Sequence, residues 1–294
     1  MKERWQNSLE QIYQKFALKG YRLKIENEEN LKGLTDPQTP FVVYFNHLAG
    51  DDPIVVSALV NQVTKGSREI LMPVSQEYVF LKGGLIWYAI GVLGARHLLG
   101  WQMPEIIQSY RLRDERLSES KNSEMRNKSF KLSRLFFKKV KERLQQEEKP
   151  IIVISPEGHR SEQGLLPAED GIGVLARLMR ENNGLILPLG LIYHGGKRGL
   201  NYNPLNPLSV DVVVGCPLIY DEVEAKAEEL YSSYSLPFSE KSKAMIAHTL
   251  MWHLTQLLPE DLHGYYSSSL IKETLEGHRQ LGINQKGEVV VIDK

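Results

Sequence analysis

The stretch VVYFNHLAGDDP, residues 42–53, changes character halfway along. Its first half is a run of branched and aromatic residues, which is typical of a buried β-strand. Its second half is polar and ends in two aspartates and a proline, and proline is favoured at the first position of a helix. An aspartate just before that proline is a good helix N-cap. We therefore predict a buried strand that ends at Phe45 and a helix that begins at Pro53, with Asp52 as its N-cap.

Other apolar runs of strand length recur along the chain, separated by segments long enough to hold helices. Strands that alternate with helical segments favour an α/β fold with a largely parallel sheet. We therefore expect a mixed, largely parallel central sheet flanked by helices. The runs are EILMPV (69–74), PIIVIS (150–155), LILPLGLIY (185–193), LSVDVVVG (208–215) and EVVVID (288–293).

The two ends of the chain have helical patterns. Within residues 3–18, apolar residues recur at spacings of three and four, which predicts an amphipathic helix. The region 220–275 also has a mainly helical pattern. We therefore divide the chain into an N-terminal amphipathic helix with a linker, residues 1–35, and an α/β domain with a helical C-terminal part, residues 36–294.

Charge and composition restrict the partners and the compartment. Lys plus Arg and Asp plus Glu both number 36, so the zero net charge gives no general attraction to nucleic acid, and none is expected as a partner. The single cysteine and the lack of a secretory signal predict a reducing, cytoplasmic location. The longest run without charges, residues 244–259, is shorter than the roughly 20 residues of a membrane span. A peripheral contact with the cytoplasmic membrane face stays open.

His47 and Asp52 are the first candidate catalytic pair. In an open α/β sheet, reactive groups collect at the carboxyl ends of strands, and His47 follows the predicted strand at that end. An imidazole can accept a proton near neutral pH, and a carboxylate on its other nitrogen fixes the tautomer. The small residues Ala49 and Gly50 allow the turn to fold back so that the two side chains meet. In the alternative interpretation, Asp52 only caps the helix and His47 binds a loop carbonyl.

A second segment, IIVISPEGHRS (151–161), also passes from an apolar strand into a polar turn. An arginine on a glycine-containing turn can offer its planar donors to a phosphate, and Arg160 follows Gly158 closely. By itself the segment is weak evidence for a phosphate site, and it favours a structural Glu157 and a surface arginine.

Together, NHLAGDDP and SPEGHRS resemble the first and third sequence blocks of the glycerolipid acyltransferase family, which contains the glycerol-3-phosphate and lysophosphatidate acyltransferases. LILPLGL (185–191) resembles the fourth block. The resemblance implies acyl transfer from a coenzyme A or acyl carrier protein thioester to a hydroxyl of glycerol phosphate or a lysophospholipid. It implies His47 as the general base and Asp52 as the residue that orients it. The residues implied in substrate binding are Asn46, Glu157, Gly158, Arg160, Ser161 and Pro188.

The chain departs from the family pattern in two blocks. His159 stands where the third block usually has threonine, and the second block is matched only loosely by GVLGAR, which ends at the candidate phosphate ligand Arg96. Both departures affect recognition of a phosphorylated acceptor. Two alternatives therefore stay open: transfer to a non-phosphorylated lipid alcohol, and a non-catalytic lipid-binding member of the family.

The expected partners are the acyl donor and the lipid acceptor, with no cofactor and no metal. A membrane surface is a third candidate partner. Residues 121–143 contain nine Lys or Arg against two Glu, interleaved with apolar residues. This pattern is typical of a basic amphipathic helix on anionic lipid, and it also fits a solvated helix that packs its apolar face on the sheet.

Overall fold

The structure is a computed structural model of the chain, and it describes residues 18–50, 52–75, 102–107, 119–158, 160–161, 164–195, 203, 205–231, 238–267, 279–283 and 289–293. Within these residues, a six-stranded mixed sheet forms the centre, with the order β1-β8-β7-β2-β6-β3. The strand pairs are parallel except for β7 with β8. The six strands are β1 (Tyr21–Glu26), β2 (Phe41–Phe45), β3 (Ile70–Leu71), β6 (Ile151–Ile154), β7 (Leu185–His194) and β8 (Leu208–Val214).

Four further strands in the described part of the chain lie outside the central sheet. They form a parallel pair and an antiparallel pair, each a separate two-stranded sheet. The parallel pair is β4 (Val74–Ser75) with β5 (Glu105–Ile106), and the antiparallel pair is β9 (Arg279–Ile283) with β10 (Val289–Asp293).

Helices cover both faces of the central sheet. A 3-10 helix, Glu28–Thr35, and helix α1 (Asp52–Val63) contribute to the core on one face. Four helices pack on the other: α2 (Glu119–Leu144), α3 (Gly171–Glu181), α4 (Tyr220–Tyr231) and α5 (Phe238–Thr255). Two short 3-10 helices, Glu260–Leu262 and Gly264–Tyr266, follow α5. No helix in the described ranges is both long and apolar enough to cross a membrane. The predicted α/β class, with a largely parallel sheet between helices, is confirmed.

Strand β2 lies in the middle of the sheet and is fully enclosed. Phe41, Val43 and Phe45 belong to the core under α1, whereas Val42 and Tyr44 belong to the core under α2 to α5. Because successive side chains of a strand point to opposite faces, a strand buried on both faces must be apolar throughout. This explains the unbroken FVVYF run, and it places the residues that follow Phe45 at the carboxyl edge of the sheet.

The structure differs from the sequence prediction at the chain ends. Residues 21–26 form edge strand β1 and residues 28–35 form the 3-10 helix, which buries Leu31 and Leu34. The boundary that we placed at residue 35 therefore falls inside the folded unit, because this segment pairs with β8 and fills the core. EILMPV divides into β3 and β4, and EVVVID forms β10 against a partner strand that was not predicted. Most of the helix predicted for residues 3–18 lies outside the described residues.

Candidate active site

The candidate site lies at the ends of three neighbouring strands. Strand β2 is flanked by β6 and β7, and both of these pairings are parallel. The segments that leave the carboxyl ends of β2 and β6 therefore emerge on the same edge of the sheet, as expected for the reactive edge of an α/β fold. Strand β7 extends beyond this edge, since its residue Leu189 pairs with Phe45 at the end of β2 and the strand continues to His194.

His47 and Asp52 meet across the turn between β2 and α1. The His47 Nδ1 atom lies 3.1 Å from Asp52 Oδ2, and the side chains are 13% and 0% exposed. The same carboxylate oxygen accepts a hydrogen bond of 2.7 Å from the Ala49 backbone N–H. Asp52 thus directs its carboxylate back into the turn that contains His47. With Nδ1 protonated and bound to Asp52, the remaining nitrogen, Nε2, carries the lone pair that can accept a proton.

Asn46 extends the pairing of β2 with β7 by means of its side chain. Its Nδ2 donates to the Leu191 carbonyl at 2.9 Å, and its Oδ1 accepts from the Leu191 N–H at 2.7 Å. The amide therefore imitates one more peptide group of the ladder. Asn46 was a predicted substrate ligand, yet it is 0% exposed and both polar atoms of its amide bind the backbone of β7. Its observed contacts fix the fold at the edge of the site.

Glu157 connects the two polar turns. Its Oε1 accepts the His47 backbone N–H at 2.7 Å, and its Oε2 accepts the Leu166 N–H at 2.8 Å. The Ser161 N–H in turn donates to the His47 carbonyl at 3.0 Å. The backbone of His47 is therefore held on both sides by the second segment. Glu157 was also a predicted substrate ligand, but it is only 2% exposed and its carboxylate serves this connection.

Burial controls the ionisation of Glu157. Removal from water raises the pKa of its carboxyl from 4.5 to about 8, and the nearby Asp52 carboxylate acts in the same direction. The N–H groups of Leu166 and His47 oppose this rise, because they stabilise the charged form. Two carboxyl groups thus lie close together behind His47, and donors from the backbone hold each of them.

The other predicted residues of the second segment lie next to this connection. Gly158 has a φ of +70°, a conformation that residues with a side chain rarely adopt, and a Cβ there would lie 3.2 Å from Glu169 Cγ. Ser161 is 2% exposed, and its hydrogen bond to His47 places the preceding residue, the partly exposed Arg160, beside the candidate base along the backbone.

One predicted residue, Pro188, occupies another position. Pro188 is buried within β7, where it pairs with Tyr44 and its carbonyl accepts the Gly215 N–H. This position lies within the sheet, on the strand that also carries Leu191. Arg96 and the substituted position His159 lie outside the described residues. Among the residues that are described, no group of three or more His, Cys, Asp or Glu side chains is placed to hold a metal ion.

One site residue was not predicted from the sequence. The hydroxyl of Tyr193, near the end of β7, donates a hydrogen bond to Asp52 Oδ1, the carboxylate oxygen that does not contact His47. A sequence signal existed, because Tyr193 ends an apolar strand at the sheet edge that also carries His47. We considered that strand only for its proline, since the register of β7 against β2 is not visible in the sequence.

A Glu157→Gln substitution tests the connection between the turns. A glutamine has only one carbonyl oxygen, so one of the two backbone N–H groups loses its acceptor, and we expect the free energy of unfolding to fall by about 1–3 kcal/mol. Because its pKa is raised, Glu157 binds its proton more tightly in the folded protein than in the unfolded chain. This contribution to the stability of the wild-type protein is greatest below pH 4.5 and declines as the pH rises to about 8. The difference between the two proteins should therefore narrow over that range in urea unfolding experiments.

The exposed Glu181, which pairs with Arg177 on α3, supplies the matched control, and Glu181→Gln should change stability by less than about 0.5 kcal/mol. Equal stability of the Glu157→Gln and wild-type proteins across this pH range would contradict the assigned contacts.

Comparisons with known proteins place this geometry in a family. The acyltransferase family model matches residues 22–192, which is more than half of the chain and includes both polar turns and β7 as far as Ile192. No curated protein matches the sequence. Among solved structures, the chain is similar to the 1-acyl-sn-glycerophosphate (LPA) acyltransferase PlsC from Thermotoga maritima, with 15% identity, 87% of this chain and 83% of that chain covered, and a TM-score of 0.43. On the strength of the family match, the chain belongs to the acyltransferase family.

Proposed function

We propose that this acyltransferase moves a fatty acyl group from a coenzyme A or acyl carrier protein thioester to a hydroxyl of glycerol phosphate or a lysophospholipid. The observation that carries the proposal is the contact of 3.1 Å between His47 Nδ1 and the buried Asp52 carboxylate. It lies at the carboxyl edge of the sheet, within the segment that matches the family. The arrangement is suited to a general base whose second nitrogen is kept ready to accept a proton.

The proposed reaction needs one proton acceptor and no covalent enzyme intermediate. As the acceptor hydroxyl attacks the thioester carbonyl, His47 Nε2 takes its proton, and the Asp52 carboxylate stabilises the imidazolium that forms. Collapse of the tetrahedral intermediate breaks the carbon–sulfur bond. The thiolate leaves and takes up a proton, which His47 can return, so the base is regenerated.

We place the phosphate of the acceptor at the second polar turn. Arg160 follows the turn at Gly158, and the adjacent Ser161 donates its backbone N–H to the His47 carbonyl. A guanidinium on this turn suits an acceptor whose phosphate is near the reacting hydroxyl. The substitution of His159 for the usual threonine is the feature that keeps a non-phosphorylated lipid alcohol as the competing acceptor.

The outer face of α2 fits an anionic membrane surface. Phe136, Val140 and Leu144 are buried on the sheet side of this helix. On its outward side, Phe130 is 72% and Leu135 is 57% exposed, and they flank a basic stripe. The stripe consists of Lys131, Arg134 and Lys138, which are all exposed and recur at helical spacing. A basic stripe between exposed apolar side chains combines the two attractions of an interfacial helix.

The orientation of α2 locates this basic stripe along the sheet. The chain leaves the end of α2 and enters β6 at its amino end, so the earlier half of the helix lies toward the carboxyl edge of the sheet. Gly171 begins α3, and a Cβ on it would lie 3.9 Å from the ring of Phe137. Lys131 lies at the middle of the helix, and Arg134 and Lys138 lie in its later half, nearer the amino end of β6. The membrane proposal therefore rests on the charge and exposure of the stripe.

The catalytic proposal predicts that His47→Ala protein loses acceptor-dependent release of coenzyme A from palmitoyl-coenzyme A by about 100- to 10,000-fold. Glycerol-3-phosphate, lysophosphatidate and a long-chain alcohol are offered separately, and the panel is repeated with palmitoyl-acyl carrier protein. His194→Ala is the matched control, because His194 forms a second His–Asp pair, with Asp211 at 2.8 Å, on the exposed end of β7.

We expect release with a phosphorylated acceptor and wild-type rates for the control. Release of coenzyme A with the long-chain alcohol alone would show that the acceptor is not phosphorylated. Release at the wild-type rate by folded His47→Ala protein would contradict the role of His47 as the base.

The membrane proposal predicts that replacing Lys131, Arg134 and Lys138 by Gln weakens binding to phosphatidylglycerol vesicles by about 100-fold at low salt, at about 1 kcal/mol for each charge. Co-sedimentation measures this binding. The control replaces three other exposed residues by Gln, which removes the same charge. They are Arg22 and Lys24 of edge strand β1 and Lys32 of the 3-10 helix that follows it. Equal losses in the two triple variants would show that net charge, and not the basic stripe, determines the binding.

A further inference from the structure

Tyr193 reaches the catalytic carboxylate because β7 is longer than its neighbour. Strand β2 ends at Phe45, opposite Leu189, whereas β7 continues to His194. Asn46 fixes this overhang by binding both the N–H and the carbonyl of Leu191. Two residues further along, the hydroxyl of Tyr193 donates to Asp52 Oδ1. The contact therefore depends on the register of the central strands.

The hydrogen bonds of Asp52 are divided between its two oxygens. Oδ2 binds Ala49 and His47, which both belong to the turn that precedes α1. Oδ1 binds Tyr193, which comes from another strand. Because Asp52 is 0% exposed, an oxygen that loses its donor among these residues cannot turn to bulk water instead. The tyrosine is thus placed to restrain rotation of the carboxylate.

We propose that Tyr193 is a positioning residue for the acyl transfer reaction. Its hydroxyl holds the Asp52 carboxylate at the angle at which Oδ2 accepts the Nδ1–H of His47, which leaves Nε2 ready for the acceptor hydroxyl. This inference rests on the proposed role of His47 as the base. The ring of Tyr193 also packs against the core beneath α1, so the hydroxyl and the ring have separate roles.

Tyr193→Phe protein separates these roles, because it keeps the ring and removes only the donor. We expect kcat for acceptor-dependent coenzyme A release to fall about 10-fold or more, the loss typical of a hydrogen bond to a charged group, with the acceptor KM changed less than about twofold. The proton NMR resonance of His47 Nδ1–H should shift and broaden, because the carboxylate that binds this proton becomes free to rotate.

Tyr44→Phe is the matched control. Tyr44 is a buried tyrosine of β2 whose hydroxyl donates to the Leu250 carbonyl at 2.8 Å, within the core on the other face of the sheet. This substitution also removes one buried hydroxyl, but it should leave both kcat and the His47 resonance as in the wild type.

The outcomes distinguish this inference from the proposed function. If His47→Ala abolishes turnover while Tyr193→Phe keeps the wild-type kcat, the positioning role is overturned and the base remains. An unshifted His47 resonance in Tyr193→Phe protein also overturns it, whatever the rate. If wild-type protein shows no acceptor-dependent release, the proposed function fails, and the resonance still tests whether Tyr193 holds Asp52.

If Tyr193→Phe protein does not fold, a second variant tests the same contact. Site-specific 3-fluorotyrosine at position 193 retains the hydroxyl and almost the same volume, and it is a stronger hydrogen-bond donor. We expect the His47 Nδ1–H resonance to shift in this folded protein while kcat stays within about threefold of the wild type. An unchanged resonance would overturn the contact as the means by which Tyr193 acts.

Discussion

The buried carboxylate of Asp52 joins the turn after β2, the start of α1 and the end of β7. A carboxylate without exposure to water is costly unless donors surround it, and here Ala49, His47 and Tyr193 supply them. This requirement constrains the local fold. The turn must bring the Ala49 N–H back toward the helix, and β7 must extend past β2. The same contacts that make the burial of Asp52 tolerable also orient the imidazole of His47.

The site is rigid because His47 is held through its backbone as well as its ring. Asp52 binds the ring, Glu157 accepts the backbone N–H, and Ser161 donates to the carbonyl. The last two contacts come from the turn after β6, so hydrogen bonds join the candidate base directly to the candidate phosphate-binding turn. A base that is already in place when substrates arrive loses little conformational entropy during the reaction, which is how such an arrangement favours catalysis.

Local patterns in the sequence were sufficient for the strand, the turn and the helix, and they left the pairing of His47 with Asp52 as one of two interpretations. These features lie within a few residues of one another, and residue type determines them. The bonds of Asn46, Glu157 and Tyr193 were not predictable in this way, since they join residues 145, 110 and 141 positions apart. Which backbone group meets a side chain depends on the strand order and register. Motif resemblance implied substrate binding for Asn46 and Glu157, and the structure shows contacts of both side chains within the fold.

The missed strand β1 has a different cause. The segment YRLKIE alternates apolar and polar residues, which is the pattern of a half-buried strand, and its burial follows that alternation in part. We included it in the linker that follows the predicted N-terminal helix. Its parallel pairing with β8, far along the chain, is what makes this short segment part of the sheet.

The most direct test of the account is the rate of acceptor-dependent coenzyme A release by Asp52→Asn protein. Asparagine has nearly the same size, but it does not supply the charge that stabilises the His47 imidazolium or fix its tautomer. The account predicts a kcat at least about 100-fold below that of the wild type, in protein that remains folded. A folded Asp52→Asn protein with the wild-type kcat would contradict the claim that Asp52 and His47 act together as the base.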